Sequence, residues 1–496
     1  MTSALTVPAL LARTVERFED RPALIDASRR RTWGDVAGDV ERRAGALRSR
    51  GVRRGDAVAL VLGNDMDFVT TFLAIVSVGG IAVPLNPLLT VAELGLYLRD
   101  CSMVGIVTTA SRTPAIAAWT AAAAGSGVWV ADAVGFDTRT DGDQRAVDCA
   151  PDLPALHAFS SGSTGTPKGI VRTQANLAYE ADHFFDTVGV GEEDVILTSV
   201  ALFHAHGLGN CLLAAVRSGA AMMLLDGFHR DQALAAIERE RVSIFPTVPF
   251  VAHALAETRR SDRADLSSLR LCFTAGAPLS QETFDLFHSR LGLPVRQLYG
   301  CSEAGSVTVN LDEDVGATAA SVGRPMKGVD LAVVGEHGES RAPGENGEVT
   351  FASPALATGY VGVDPERNDA FHDGWFRAGD LGHLDDAGNL FITGRTKLYI
   401  STGGYKVDPV EVENVLRGHP GVADVVVVGI EGAVGEQIVK AVVVPGPNAP
   451  GEAELRRALI EVCRTRLAVY KVPRVFDFRA EIPRSPLGKI LRKYLV

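Results

Sequence analysis

Basic charge is the first thing this 496-residue chain lacks: 49 Lys and Arg stand against 60 Asp and Glu, a formal charge of -11. A nucleic-acid partner would call for a basic stripe or patch, so none is expected. Long apolar runs are missing too. No stretch approaches the roughly 18 to 20 apolar residues of a membrane span. The first twenty residues break up their apolar positions with Arg13, Glu16, Arg17 and Glu19, unlike the uninterrupted core of a signal peptide. A soluble, cytoplasmic protein is expected. Cysteines are few, six in all at 101, 149, 211, 272, 301 and 463, with no C-x-x-C pair. Their scatter indicates neither a disulfide framework nor a zinc site, and most sit in apolar settings that suit buried reduced thiols. No internal repeat and no low-complexity tract is found.

What is present is a globular composition, 46% hydrophobic and 22% charged. The length exceeds what one core organises, so two or more domains are expected. Residues 8–52 read as two helices joined by a short strand near Ala23 and a turn near Arg30. A strand at 57–62, a helix at 65–78 and a strand at 81–83 follow, and the rhythm repeats through 93–100, 105–108, 114–124 and 128–131. Such alternation predicts an α/β fold with a largely parallel sheet. Residues 207–217 read as helix, and 221–225, 244–248 and 271–274 as short strands. After Gly394-Arg395-Thr396-Lys397 the order changes to helix 410–416, strands 422–430 and 438–444, and helix 452–467. That order fits an α+β module of about a hundred residues. The boundary is expected at Lys397, giving domains 1–396 and 397–496.

The densest chemistry lies in residues 160–169, Ser-Ser-Gly-Ser-Thr-Gly-Thr-Pro-Lys-Gly. Gly162, Gly165 and Gly169 let the backbone turn tightly and approach a ligand, while Ser160, Ser161, Ser163, Thr164 and Thr166 supply hydroxyls. Lys168 adds a compact cation, and Pro167 stiffens the loop so that less entropy is lost on binding. Such a loop suits a polyphosphate. Apolar residues on either side, Ala158 and Phe159, then Ile170 and Val171, place it between two strands. The nucleotide-binding grammar G-x-x-x-x-G-K-[ST] is not met. Counted back from Lys168, Gly162 fits the first glycine, but Pro167 stands where the second is required, and Gly169 follows the lysine.

Other segments carry chemistry at strand ends. Thr274-Ala275-Gly276-Ala277-Pro278 offers small residues that admit a planar base, and Gln297-Leu298-Tyr299-Gly300-Cys301-Ser302-Glu303 offers a ring for stacking and a carboxylate that is a hard oxygen ligand. Asp373-Gly374-Trp375-Phe376-Arg377-Ala378-Gly379-Asp380 ends on a carboxylate able to accept from two vicinal hydroxyls. Phe203-His204-Ala205-His206-Gly207 follows a strand; no Cys or acidic partner is placed nearby for a metal, and His206 reads equally as a satisfied structural histidine. Near the C-terminus stands Pro483-Arg484-Ser485-Pro486-Leu487-Gly488-Lys489.

In this order, over essentially the whole chain, these segments resemble the acyl- and aryl-CoA synthetase superfamily of adenylate-forming enzymes. The resemblance implies a large N-terminal α/β domain of several subdomains and a small mobile C-terminal α+β domain. It implies ATP, Mg²⁺ and coenzyme A as the ligands, with a small carboxylic acid activated as acyl-AMP and passed to a thiol. An acyl carrier protein or an amine could replace CoA as acceptor, and either a monomer or a homodimer fits. By the same resemblance residues 160–168 hold phosphates, Gly276, Ala277, Pro278, Tyr299 and Gly300 form the adenine slot, and Ser302 contacts the α-phosphate. Glu303 and Thr164 face Mg²⁺, Asp380 grips the ribose, Arg395 reaches ribose or phosphate, and His204 lies beside the acyl carboxylate. Lys397 is the hinge, followed by Leu398 where the family has an acid, and Gly403-Gly404 lines the pantetheine tunnel. Lys489 bridges the attacking carboxylate and the α-phosphate, where charge develops during displacement and a fixed ammonium stabilises the transition state more than the ground state. The run His204-Ala205-His206-Gly207-Leu208 also resembles that of malonyl-CoA synthetases, a hint towards a short dicarboxylate.

Overall fold

The structure is a computed structural model describing residues 6–124, 127–136, 149–160, 168–257, 264–363, 370–395, 399–432, 436–483 and 494–496. The chain divides into two compact units. One comprises Met1–Pro87, Asp100–Phe159 and Gly169–Gly394; the other comprises Arg395–Val496 together with Leu88–Arg99 and Ser160–Lys168. Among the described residues no helix is long and apolar enough to cross a membrane.

In the first unit a nine-stranded sheet runs Arg324–Pro325, Gly305–Val309, Val295–Cys301, Leu271–Thr274, Ile244–Thr247, Val195–Thr198, Ala221–Leu224, Pro22–Ile25, Arg30–Thr32. From Val295–Cys301 to Pro22–Ile25 neighbouring strands are parallel, and antiparallel strands close both edges. The turn expected near Arg30 spans Asp26 to Arg29, with Asp26 N donating to Arg29 O at 3.0 Å, and leads into an edge strand that begins at Arg30 and pairs back on Pro22–Ile25. A second sheet, of seven strands, runs Gly359–Tyr360, Lys168–Thr173, Pro154–Ser160, Ile81–Pro84, Ala57–Val61, Met103–Thr108, Trp129–Asp132. One of its strands ends at Ser160 and the next begins at Lys168, on either side of the loop that the apolar flanks predict. Its interior strand Ala57–Val61 is buried at every position, the continuous apolar run of a parallel strand covered on both faces.

Local sequence fixes the helices. Gln174–Val188 starts at Thr173, whose hydroxyl accepts from Asn176 N while Asn176 returns a bond to Thr173 N, and it stops at Gly189 in the left-handed conformation. The stretch expected to be one helix after Gly207 is instead a turn of α-helix, Ala205–Gly207, then a π-helical segment, Leu208–Leu213, then Ala214–Ser218. Such π segments concentrate at functional sites.

A third sheet escapes the sequence reading. Asp330–Val334, Gly347–Ala352, Trp375–Leu384 and Phe371–His372 are antiparallel neighbours, with Leu390–Arg395 pairing Trp375–Leu384. About half of the residues in the longer strands are half-buried and their buried positions follow no period of two, so their sequence resembles loop. The reversal into Trp375 uses Asp373 and Gly374, both at positive φ (49° and 80°), the twist that suits a two-residue hairpin.

In the second unit Val422–Glu431, Gln437–Pro445 and Val475–Phe478 form a three-stranded sheet, and Pro409–Arg417 and Glu452–Arg466 are its helices. Their apolar residues, among them Val412, Leu416, Val427, Val443, Leu455 and Leu459, form one core. A separate hairpin, Ile400–Thr402 with Tyr405–Val407, turns through Gly403 and Gly404 at φ 57° and 79°.

Candidate active site

The parallel strands of the nine-stranded sheet end side by side, the place where open α/β sheets bind ligands, and several candidates of the first unit lie at or just beyond those ends, while Asp380 comes from the antiparallel sheet. Gly276, Ala277 and Pro278 come directly after Leu271–Thr274, with Gly276 at φ +87° and Gly276 and Pro278 exposed. Only a glycine takes that backbone without cost. Tyr299 and Gly300 lie on Val295–Cys301. Ser302 and Glu303 occupy the tight turn that joins it to Gly305–Val309.

One hydrogen bond ties two of the candidates together across 81 residues. The Tyr299 hydroxyl donates to Asp380 Oδ2 at 2.6 Å. Asp380 sits on Trp375–Leu384 with 2% of its surface exposed, so it is a buried strand residue and not a loop acid. Burying a carboxylate is unfavourable unless it is hydrogen-bonded, and the phenol meets that need at Oδ2.

Glu303 is held by two contacts that the sequence did not suggest. Tyr360 Oη donates to its Oε1 at 2.9 Å, and Ala357 N donates to its backbone carbonyl at 2.7 Å. A single carboxylate of this kind fits Mg²⁺, which commonly takes one or two protein carboxylates and completes its shell with phosphate oxygens and water.

The two histidines have different environments. His204 is exposed and caps Ala205–Gly207, its Nδ1 accepting from His206 N at 3.3 Å. His206 is wired on both ring nitrogens, with Nε2 3.0 Å from Thr247 O and Nδ1 2.9 Å from Asn210 Nδ2. Ser306 donates to Asn210 Oδ1 at 2.7 Å, which turns the amide so that Nδ2 donates to His206. The ring is therefore neutral with its proton on Nε2, and burial lowers its pKa from 6.5 to about 4. Gly207 is required here because a Cβ would run into the carbonyls of Val200 and Ala201. Asn210 and Ser306 had no motif to announce them; Tyr360 had only a Gly-Tyr pair.

Of the remaining candidates, Gly403 and Gly404 form the hairpin turn of the second unit. Ser160, Lys168 and Arg395 are placed as the ends of their strands. Ser161, Gly162, Ser163, Thr164, Gly165, Thr166, Lys397 and Lys489 lie outside the described residues.

The chain matches the AMP-binding enzyme family over residues 11–361 and the AMP-binding enzyme C-terminal domain over residues 411–489. It is 33% identical to the long-chain-fatty-acid–CoA ligase FadD13 of Mycobacterium tuberculosis over 473 residues, 94% of this chain and 92% of that protein. It is 34% identical to a feruloyl-CoA synthase of an Amycolatopsis species, covering 93% and 92% of the two chains. Among solved structures, o-succinylbenzoate-CoA synthetase of Bacillus subtilis bound to its product analogue superposes with a TM-score of 0.88 at 27% identity, covering 98% of both chains. The chain belongs to the AMP-binding, adenylate-forming superfamily of acyl- and aryl-CoA synthetases.

Proposed function

We propose that this enzyme joins a carboxylic acid to coenzyme A in two steps. In the first, a carboxylate oxygen attacks the α-phosphorus of ATP, the bond to the β-phosphate breaks, and pyrophosphate leaves, giving acyl-AMP. In the second, the thiolate sulfur of CoA attacks the acyl carbon and AMP departs with its phosphate oxygen. Catalysis of this kind is positioning and charge stabilisation, with no covalent attachment to the protein.

The observation that carries the reading is the buried Tyr299–Asp380 bond. It joins an aromatic face for adenine to a carboxylate for the ribose hydroxyls, with Glu303 on the turn that follows Tyr299. Gly276, Ala277 and Pro278 supply the other wall of the base slot. Lys168 and the hydroxyls of residues 160–166 hold the phosphates, Thr164 and Glu303 serve Mg²⁺, and Lys489 compensates charge at the α-phosphate. His204 borders the acyl carboxylate, and Gly403-Gly404 gives the pantetheine arm a flat path.

We further infer an acid with a largely apolar fatty or aryl body. Of the relatives named above, two are named for long-chain fatty and feruloyl acids and the third for o-succinylbenzoate, an aryl acid with a second carboxylate. In the run that hinted at a dicarboxylate, His206 is neutral and has both nitrogens engaged, so it offers no cation to a second carboxylate.

Pyrophosphate release over a panel of fatty, aryl and dicarboxylic acids tests this, followed by assays with CoA, with a holo-carrier protein and with amines. Thioester formation with free CoA is expected. Product found only on the carrier or the amine would replace CoA as acceptor, and release with none of the acids would refute the whole reading. Lys489→Ala is expected to abolish pyrophosphate release while leaving thioester formation from supplied acyl-AMP; equal loss of both refutes the role given to Lys489.

A further inference from the structure

Tyr360 belongs to none of the segments that carry the family resemblance, yet it stands where several of them meet. Its strand, Gly359–Tyr360, is antiparallel to the strand that leaves the glycine-rich loop, with Tyr360 opposite Ile170 and Val361 N donating to Gly169 O at 2.7 Å. Just upstream, Ala357 N holds the Glu303 carbonyl at 2.7 Å. The Tyr360 ring packs edge-on against Phe371, centroids 5.7 Å apart, and Phe371 packs on Phe376 at 4.8 Å, in the strand that carries Asp380. The hydroxyl at the end of this anchored ring donates to Glu303 Oε1.

From this geometry we propose that Tyr360 is the positioning residue for Glu303. It fixes the carboxylate through Oε1 so that Oε2 is presented to the divalent cation that accompanies the nucleotide. The proposal rests on the reading of Glu303 as a metal ligand. A free glutamate on a tight turn samples several rotamers, and a cation binding it must select one. The phenol makes that selection beforehand through one neutral hydrogen bond and brings no cation to compete for the carboxylate. Partners that orient a metal-binding carboxylate are worth about 10-fold or more in metal affinity, or about 1.4 kcal/mol per tenfold.

The test compares wild type, Tyr360→Phe and Glu303→Gln. Tyr360→Phe keeps the ring against Phe371 and the backbone pairing, so its melting temperature checks that the fold survives. Binding of Mn²⁺·ATP without any acid, followed by the electron paramagnetic resonance of free Mn²⁺, reads the site with no turnover. About a 10-fold weakening is expected for Tyr360→Phe, and a larger one for Glu303→Gln. In pyrophosphate release, Tyr360→Phe should raise the half-saturating Mg²⁺ concentration and return towards the wild-type rate at excess Mg²⁺. Unchanged Mn²⁺·ATP affinity in Tyr360→Phe alongside weakened Glu303→Gln overturns the proposal for Tyr360. Unchanged affinity in Glu303→Gln overturns the reading of Glu303, and the proposal with it.

Discussion

Removing the Lys471 ammonium should destabilise the second unit sharply, and the size of the effect can be worked from its surroundings. Lys471 Nζ lies 3.0 Å from Glu93 Oε1 and 2.7 Å from Glu411 Oε1, with side-chain exposures of 5%, 2% and 16% for the three residues. Glu93 also accepts from Ala468 N at 3.0 Å through Oε1, and its Oε2 accepts from Thr90 N and Thr90 Oγ1 at 2.8 and 2.9 Å, capping the helix Val91–Asp100. Burial works to lower the lysine pKa, but Glu411, Tyr470, Tyr97 and Glu93 outweigh it and the net shift is upward. Burial likewise raises Glu411, against the pull of Lys471. In Lys471→Met two buried carboxylates lose their cation, and breaking a buried pair from one side costs about 3 to 5 kcal/mol. Hydrogen exchange should report it: peptides covering 88–99 and 409–417 lose protection at pH 8, while those from the strand Ala57–Val61 in the first unit are unaffected. The loss should shrink as pH falls, since protonating Glu411 removes the unpaired charge. Lys471→Met with Glu411→Gln should regain much of the protection, because Glu93 keeps its three other donors. Wild-type exchange at residues 88–99 in Lys471→Met, or a loss independent of pH, would refute the reasoning.

Two further perturbations test the first unit. For His206 the pKa drops from 6.5 in the unfolded chain to about 4 in the fold, so the stability it contributes is full above pH 6.5 and is lost on acidification towards pH 4. At about 1.36 kcal/mol per pH unit the loss is on the order of 3 kcal/mol. His157 is likewise lowered to about 4 by burial, and Asp65, raised to about 6, acts in the opposite sense. Denaturant unfolding of wild type minus His206→Gln at pH 7.5 and 4.5 isolates the histidine, and parallel pH dependences would contradict its neutral burial. Gly305→Ala should prevent stable folding. Gly305 has φ +73°, and a Cβ there would collide with the Glu180 carboxylate, which is paired with Arg172 at 2.6 Å. The left-handed backbone costs about 1 to 2 kcal/mol and a broken buried pair about 3 to 5. A variant with the wild-type melting temperature would disprove the packing argument.

The sequence makes legible whatever is written in adjacent residues. Strand and helix alternation, the loop at 160–169 between its strands, and the elements after Arg395 all follow local periodicity and turn chemistry. Thr173 and Asn176 announce a helix start three residues apart. The antiparallel sheet around Trp375–Leu384 does not announce itself, because its strands mix buried, half-buried and exposed residues without a period of two. Long-range pairing is equally silent. Asp380 could be named as a carboxylate in a suggestive segment, but its burial depends on Tyr299, 81 residues away. Lys471 and Glu93 are separated by 378 residues, and nothing near either marks the other.

Carboxylates held by side-chain donors in this chain differ in their partners, and the difference follows what each is left able to do. Glu180 faces Arg172, and Glu93 faces Lys471. In both a full cation cancels the charge, leaving little to offer a ligand, and each pair locks two distant segments together. Asp380 and Glu303, the two carboxylates proposed to meet ribose and metal, are each held by a tyrosine hydroxyl. A neutral donor restricts the rotamer and relieves part of the desolvation cost without spending the negative charge. That charge is what a cation or a pair of vicinal hydroxyls requires. An arginine at position 299 or 360 could satisfy the same oxygen as well or better, yet it would compete with the ligand for it. A phenol therefore marks a carboxylate kept available, and a guanidinium or ammonium marks one used up in the fold.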